Sequence, residues 1–69
     1  MQLLDVVASL RAVPDQRIDR GQVGTVVEVL DADHVLVEFS ALNGVAFALA
    51  PMPVTQLMEL KHAPTFLGA

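Results

Sequence analysis

The residues best suited to chemistry are Asp31, Asp33 and His34, which occupy one short stretch of the chain. Carboxylate oxygens suit hard cations, and imidazole suits transition metals. Three side chains from one tight turn rarely converge on an ion, because a metal site needs ligands from several directions. The cluster therefore predicts a solvated turn in which aspartate bonds the local backbone, and we expect no metal site.

Glu28 and Glu38 form a second candidate pair. Paired carboxylates divide the roles of acid and base only where their surroundings separate their pKa values. On a solvated outer face they protect a sheet against aggregation instead. Gly21 and Gly24 precede a strand rather than a helix, which argues against a phosphate-binding loop. We therefore expect no catalytic residue, no enzyme activity and no cofactor.

A β-hairpin from Gly21 to Phe39 positions these side chains. Two valine-rich runs, 23–30 and 34–39, flank the acidic loop 31–33, and β-branched residues favour strands. If Asp33 is left-handed, the predicted pairs are Leu30–His34, Val29–Val35, Val27–Val37 and Thr25–Phe39. The predicted core face is then Thr25, Val27, Val29, Val35, Val37 and Phe39. The predicted outer face carries Val26, Glu28, Leu30, His34, Leu36 and Glu38.

The flanking segments supply three more strands. Residues 1–13 match a helix almost as well as a strand, and we favour a strand over 5–12 because an isolated hairpin is unstable. Ile18 is the one apolar anchor of the connection 14–20. Pro51 and Pro53 are expected to end the fourth strand. A single helical turn over 54–56 and a last strand over 57–61 follow.

The turn around Asn43 allows two registers for the fourth strand. A two-residue turn pairs Phe39 with Ala48 and turns alanines into the core. A three-residue loop pairs Phe39 with Phe47 and turns the alanines outward. Because a one-residue slip exchanges the two faces and an alanine wall would leave cavities, we predict the three-residue loop.

These elements predict an all-β fold, a small five-stranded SH3-like barrel with one short helical turn before the last strand. The domain spans residues 1–62, and 63–69 form a C-terminal tail. The charge of −4 and four basic residues argue against nucleic acid, which needs clustered cations. No apolar run reaches the length of a membrane span. The lack of cysteine agrees with a cytoplasmic protein.

Hydrophobic residues make up 54% of this 69-residue chain, more than so small a barrel can bury. We therefore expect a non-catalytic protein–protein interaction module that self-associates as a homo-oligomer. The alternatives are an antitoxin-like or accessory protein that binds a partner enzyme, and an RNA- or ribosome-associated module. A tail that folds back over the barrel would also cover apolar surface. The predicted partner surface comprises Val26, Leu30, Leu36, Met52, Met58, Phe66 and Leu67.

The opening LLDVVASL, the central RGQVGTVVEVL and HVLVEF, and the closing PVTQLMEL resemble the short bacterial proteins grouped as domain of unknown function 4926. The resemblance covers residues 3–60. Its centre, Gly21-x-x-Gly24-Thr25-Val26-Val27, is also similar to KOW-type segments and to the SH3-like part of nitrile hydratase β subunits. The resemblance implies an SH3-like fold and implies no activity or site residue. The alanine-rich fourth strand and the apolar tail depart from the usual pattern of the family.

Overall fold

A computed structural model describes residues 1–41, 43 and 45–60. It confirms the all-β prediction, with five strands in the expected order and a short helical turn before the last. A second short turn, Pro14–Gln16, lies in the first connection and is also 3-10 helical. The strands are β1 Val6–Ser9, β2 Val23–Val29, β3 His34–Ser40, β4 Ala46–Pro53 and β5 Leu57–Glu59, and the later 3-10 turn is Val54–Gln56. The predicted tail, 63–69, lies outside the described residues.

All five strands form one antiparallel sheet in the order β4-β3-β2-β1-β5. Met52 of edge strand β4 and Leu57 of edge strand β5 belong to the same core cluster. The sheet therefore curves around one core, because both of its edges contribute side chains to it. Ile18 is buried in that core as predicted, and its backbone N–H donates to the Val13 carbonyl oxygen at 3.1 Å.

The β2–β3 hairpin confirms the predicted loop 31–33, but the inward residues of β2 differ from the prediction. Val29 pairs with Val35 as predicted, but a β-bulge lies between Val26 and Glu28, so Val26 rather than Val27 pairs with Val37. A bulge places one extra residue on one strand and reverses the facing of the residues beyond it. Val26 is consequently fully buried, whereas Val27 is exposed. The predicted Val27–Val37 and Thr25–Phe39 pairs are wrong for this reason.

The predicted register of β4 is also wrong. Phe39 pairs with Ala48 and Val37 pairs with Ala50, and a bulge beside Ser40 absorbs the extra residue. Ala50 is buried and Ala48 is half-buried. The large Phe39 ring lies opposite small Ala48, and Met52 is buried at the next inward position after Ala50, so large side chains of both strands offset the small volume of the alanines.

Strand β4 continues through Pro51, contrary to the prediction, and ends at Pro53. The N–H of Leu30 donates to the carbonyl oxygen of His34 at 3.0 Å, so His34 directs its backbone polar groups towards β2. Pro53 of β4, which is paired with His34, then directs its backbone nitrogen and carbonyl oxygen away from β3. Pro51, two positions earlier, does the same. Neither missing donor belongs to the ladder, which explains why an edge strand tolerates both prolines.

Candidate interaction surfaces

The structure divides the predicted partner surface. Val26 is fully buried and Met52 is only 3% exposed, so both belong to the core and their assignment to the surface is wrong. Leu36 is half-buried, whereas Leu30 and Met58 are exposed. Phe66 and Leu67 lie outside the described residues. Leu30 follows β2 at its hairpin end, whereas Met58 lies in the row of Val23 at the other end of β2, so the predicted set does not form one surface.

A different group of apolar side chains is contiguous on the outer side of β5, β1 and β2. Register places Met58, Ala8 and Val23 in one row across the three strands. The N–H of Leu60 donates to the carbonyl oxygen of Val6 at 2.8 Å, which places these two residues in the adjacent row. The larger four side chains are 37% to 51% exposed. We name this surface the apolar face and define it as Val6, Ala8, Val23, Met58 and Leu60.

The apolar face contains no ionisable side chain. Sequence reasoning missed its β1 and β2 members because residues 6–8 and 23–29 carry apolar side chains at both odd and even positions. Such a run does not show which side of the strand is buried. The pairing of Val7 with Gly24, with Val7 fully buried, decides that Val6 and Ala8 face outward.

A second surface lies on the outer side of β3 and β4. Glu38 pairs with Leu49, and an open groove of about 260 Å³ beside them is lined by Glu38, Ala46, Phe47, Ala48 and Leu49. We name it the acidic groove and define it by those five residues. Phe47 is 40% and Leu49 is 56% exposed. The two large side chains of this stretch thus face solvent while Ala50 faces the core.

Glu28 and Glu38 share the outer side of the hairpin, as predicted. Glu28 pairs with Leu36, which lies two residues before Glu38 on the same side of β3. Both carboxylates are exposed to solvent. Their arrangement gives this part of the sheet a negative outer surface.

The acidic turn has the geometry of a locally bonded aspartate. Oδ1 of Asp31 accepts the backbone N–H of Asp33 at 2.7 Å and lies 3.0 Å from Nδ1 of His34. The Asp33 N–H, followed by the His34 side chain, lowers the pKa of Asp31 below its usual value. Among the described residues, no three His, Asp or Glu side chains are arranged to hold a metal ion.

This geometry predicts an acid-dependent stability. Because the folded state lowers the pKa of Asp31, its contribution to stability is present above the unfolded pKa and is lost as pH falls through the folded pKa, below about 3.8. We expect the Asp31 carboxyl to titrate below 3.8 in an NMR titration. In His34→Ala the midpoint should rise yet stay below that value, since the Asp33 N–H remains. Equal midpoints in the two proteins would contradict a role for His34.

Comparison with known proteins adds a family assignment. No helix in the described part of the chain combines the length and the hydropathy needed to cross a membrane. No curated protein and no solved structure matches the chain, and the likeness to SH3 barrels, KOW-type segments and nitrile hydratase β subunits stays a prediction. The family model described as "Domain of unknown function (DUF4926)" matches residues 3–59, which span all five strands. The chain therefore belongs to the DUF4926 family.

Proposed function

We propose that this domain is a non-catalytic protein–protein interaction module that self-associates through the apolar face. The observation that carries the proposal is the contiguous set of apolar outer side chains on β5, β1 and β2, which Thr25 borders opposite Val6. Exposed apolar residues scattered singly are ordinary on protein surfaces. A contiguous group on neighbouring strands is typical of a surface that another molecule covers.

The chemistry of the apolar face favours a second copy of the same chain. A twofold interface brings each surface against itself, so a surface without charge avoids contacts between like charges. A 69-residue domain also buries a smaller fraction of its surface on folding than a large domain does, and association supplies further burial. We therefore infer a homo-oligomer. We place it in the cytoplasm, in agreement with a chain that has no cysteine.

The edges of the sheet favour contact through a face rather than by strand addition. On β4 the prolines remove the outward donors at two alternate positions. On β5 the N–H of Leu57 is bonded within its own chain, to the carbonyl oxygen of Val54. An added strand would thus find few backbone partners on either edge.

Met58→Glu tests the proposal directly. Met58 is 51% exposed in the apolar face, so a buried, unpaired carboxylate should oppose association while leaving the fold intact. At roughly 100 µM, where a Kd of about 10 µM gives mostly dimer, we expect light scattering to show a dimer for the natural chain. We expect a monomer for Met58→Glu.

Leu30→Glu is the matched control, because Leu30 is 44% exposed at the end of the hairpin and lies outside the apolar face. It should self-associate like the natural chain. A monomeric natural chain at this concentration would refute the proposal. Equal association by Met58→Glu would show that a different surface is used.

A further inference from the structure

Strand β4, which forms most of the acidic groove, has its large and small side chains on the opposite sides from those expected of a strand with one side in water. Such strands normally present polar residues outward and large apolar residues inward. Strand β4 instead pairs Ala48 and Ala50 with the inward Phe39 and Val37, and exposes Phe47 and Leu49. Packing of Phe39 between Gly24 and Ala48 accounts for this register. The register leaves two large apolar side chains exposed, and a partner that covers them would remove that surface from water.

The charges around the acidic groove favour a cationic occupant. Glu38 lines the groove, and Glu28 lies diagonally from it on the same side of the sheet. All three arginines of the chain, Arg11, Arg17 and Arg20, lie in the connection between β1 and β2. The ion pair found among the described residues joins Asp31 to His34 and does not involve Glu38. A second copy of this groove would bring like charges together, which is unfavourable.

The backbone beside the acidic groove offers limited hydrogen bonding. The backbone nitrogen and carbonyl oxygen of Pro51 point away from β3, towards the free edge of the sheet. Because backbone direction alternates along a strand, the N–H and carbonyl oxygen of Leu49, two residues earlier, point the same way. Among the described residues, no hydrogen-bond partner is found for these two groups of Leu49, and the next such position along the edge, Pro51, has no donor. An occupant would be held chiefly by its side chains, with one extended-chain contact at Leu49.

We infer that the acidic groove binds a segment of another protein in which large apolar side chains are flanked by lysine or arginine. The apolar side chains contact Phe47 and Leu49, and the cation pairs with Glu38. The inference goes beyond self-association, since the acidic groove and the apolar face share no residue. Each can fail without the other.

The probe is the acetylated, amidated peptide Ser-Lys-Phe-Ser-Leu-Lys-Ser, added to the full ¹⁵N-labelled chain. We expect amide shifts concentrated at Glu38, Phe47 and Leu49. Leu49→Ser should weaken binding by roughly fivefold or more through lost apolar contact, and Glu38→Lys by roughly threefold or more through charge reversal. Met58→Ser, on the apolar face, is the matched control and should bind like the natural chain. Circular dichroism establishes that each variant is folded.

Two further peptides separate the contributions of charge and apolar contact. Replacing both lysines by glutamate should abolish binding, and replacing phenylalanine and leucine by serine should do the same. Shifts that avoid the acidic groove would overturn the inference. Equal affinity for the lysine and glutamate peptides, or unchanged affinity in Leu49→Ser, would overturn it as well.

Discussion

Phe39→Ala is expected to remove at least about a third of the free energy of unfolding of the domain. Phe39 is fully buried at the centre of the core, and removal of a buried phenylalanine side chain costs about 3–5 kcal/mol. A chain of this length is expected to have a free energy of unfolding of roughly 3–10 kcal/mol. The substitution therefore removes much or all of the stability. Urea unfolding followed by circular dichroism measures the loss, at one protein concentration because association adds to apparent stability.

Phe47→Ala is the matched control, since it makes the same chemical change eight positions along the chain. Phe47 is 40% exposed on the outer side of β4, so its loss should lower the free energy of unfolding by less than about 1 kcal/mol. The comparison also tests the register, because the alternative pairing of Phe39 with Phe47 would place both rings in the core. Similar losses for the two variants would contradict the observed pairing of Phe39 with Ala48.

Gly24→Ala is the second substitution with a large expected effect. Gly24 pairs with Phe39, and an added Cβ would lie 2.8 Å from the carbonyl oxygen of Glu38 and 2.9 Å from Cδ1 of Phe39. It would also lie 2.7 Å from Cγ1 of Val37. Neither the ladder backbone nor the buried side chains can move freely, so we expect a loss of about 1–3 kcal/mol. Urea and heat unfolding should both show the loss.

Gly21 provides the contrasting case. An added Cβ there meets no atom within 4 Å, but its φ of +88° disfavours residues with a side chain. Gly21→Ala should therefore cost about 1 kcal/mol through backbone conformation alone. Gly21→Asn should lower the stability less than Gly21→Ala, because asparagine tolerates positive φ. Gly24→Asn should remain destabilising, because the obstacle at Gly24 is close contact with the neighbouring strand. A Gly24→Ala protein as stable as the natural chain would show that the sheet relaxes around the new methyl group.

The predicted order of strands followed from local signals. Turn residues and prolines mark the ends of β-branched runs, and the loop 31–33 closes the central hairpin as expected. The helical turn 54–56 was predicted because the segment after Pro53 is too short for more than one turn. The strand predicted after it, over 57–61, is present but ends at Glu59. These features depend on neighbouring residues, which is why the sequence reveals them.

The candidate surfaces were less predictable. Of the residues assigned to the partner surface, Met58 is exposed, but Val26 and Met52 are core residues. The error arose at β-bulges beside Val27 and Ser40. A bulge shifts the register by one residue, and in strands that are apolar on both sides no polar residue shows where it lies.

The amino-acid sequence by itself determined the number and order of the strands and the two hairpins that join β2 to β3 and β3 to β4, together with an excess of apolar residues over what a small sheet buries. Only the tertiary structure decided which side chains face inward. The physical reason is the packing around Phe39, whose ring lies against Gly24 on one neighbouring strand and pairs with Ala48 on the other. A large side chain between two small ones selects the register, and that register turns Val6, Val23, Phe47 and Leu49 towards solvent.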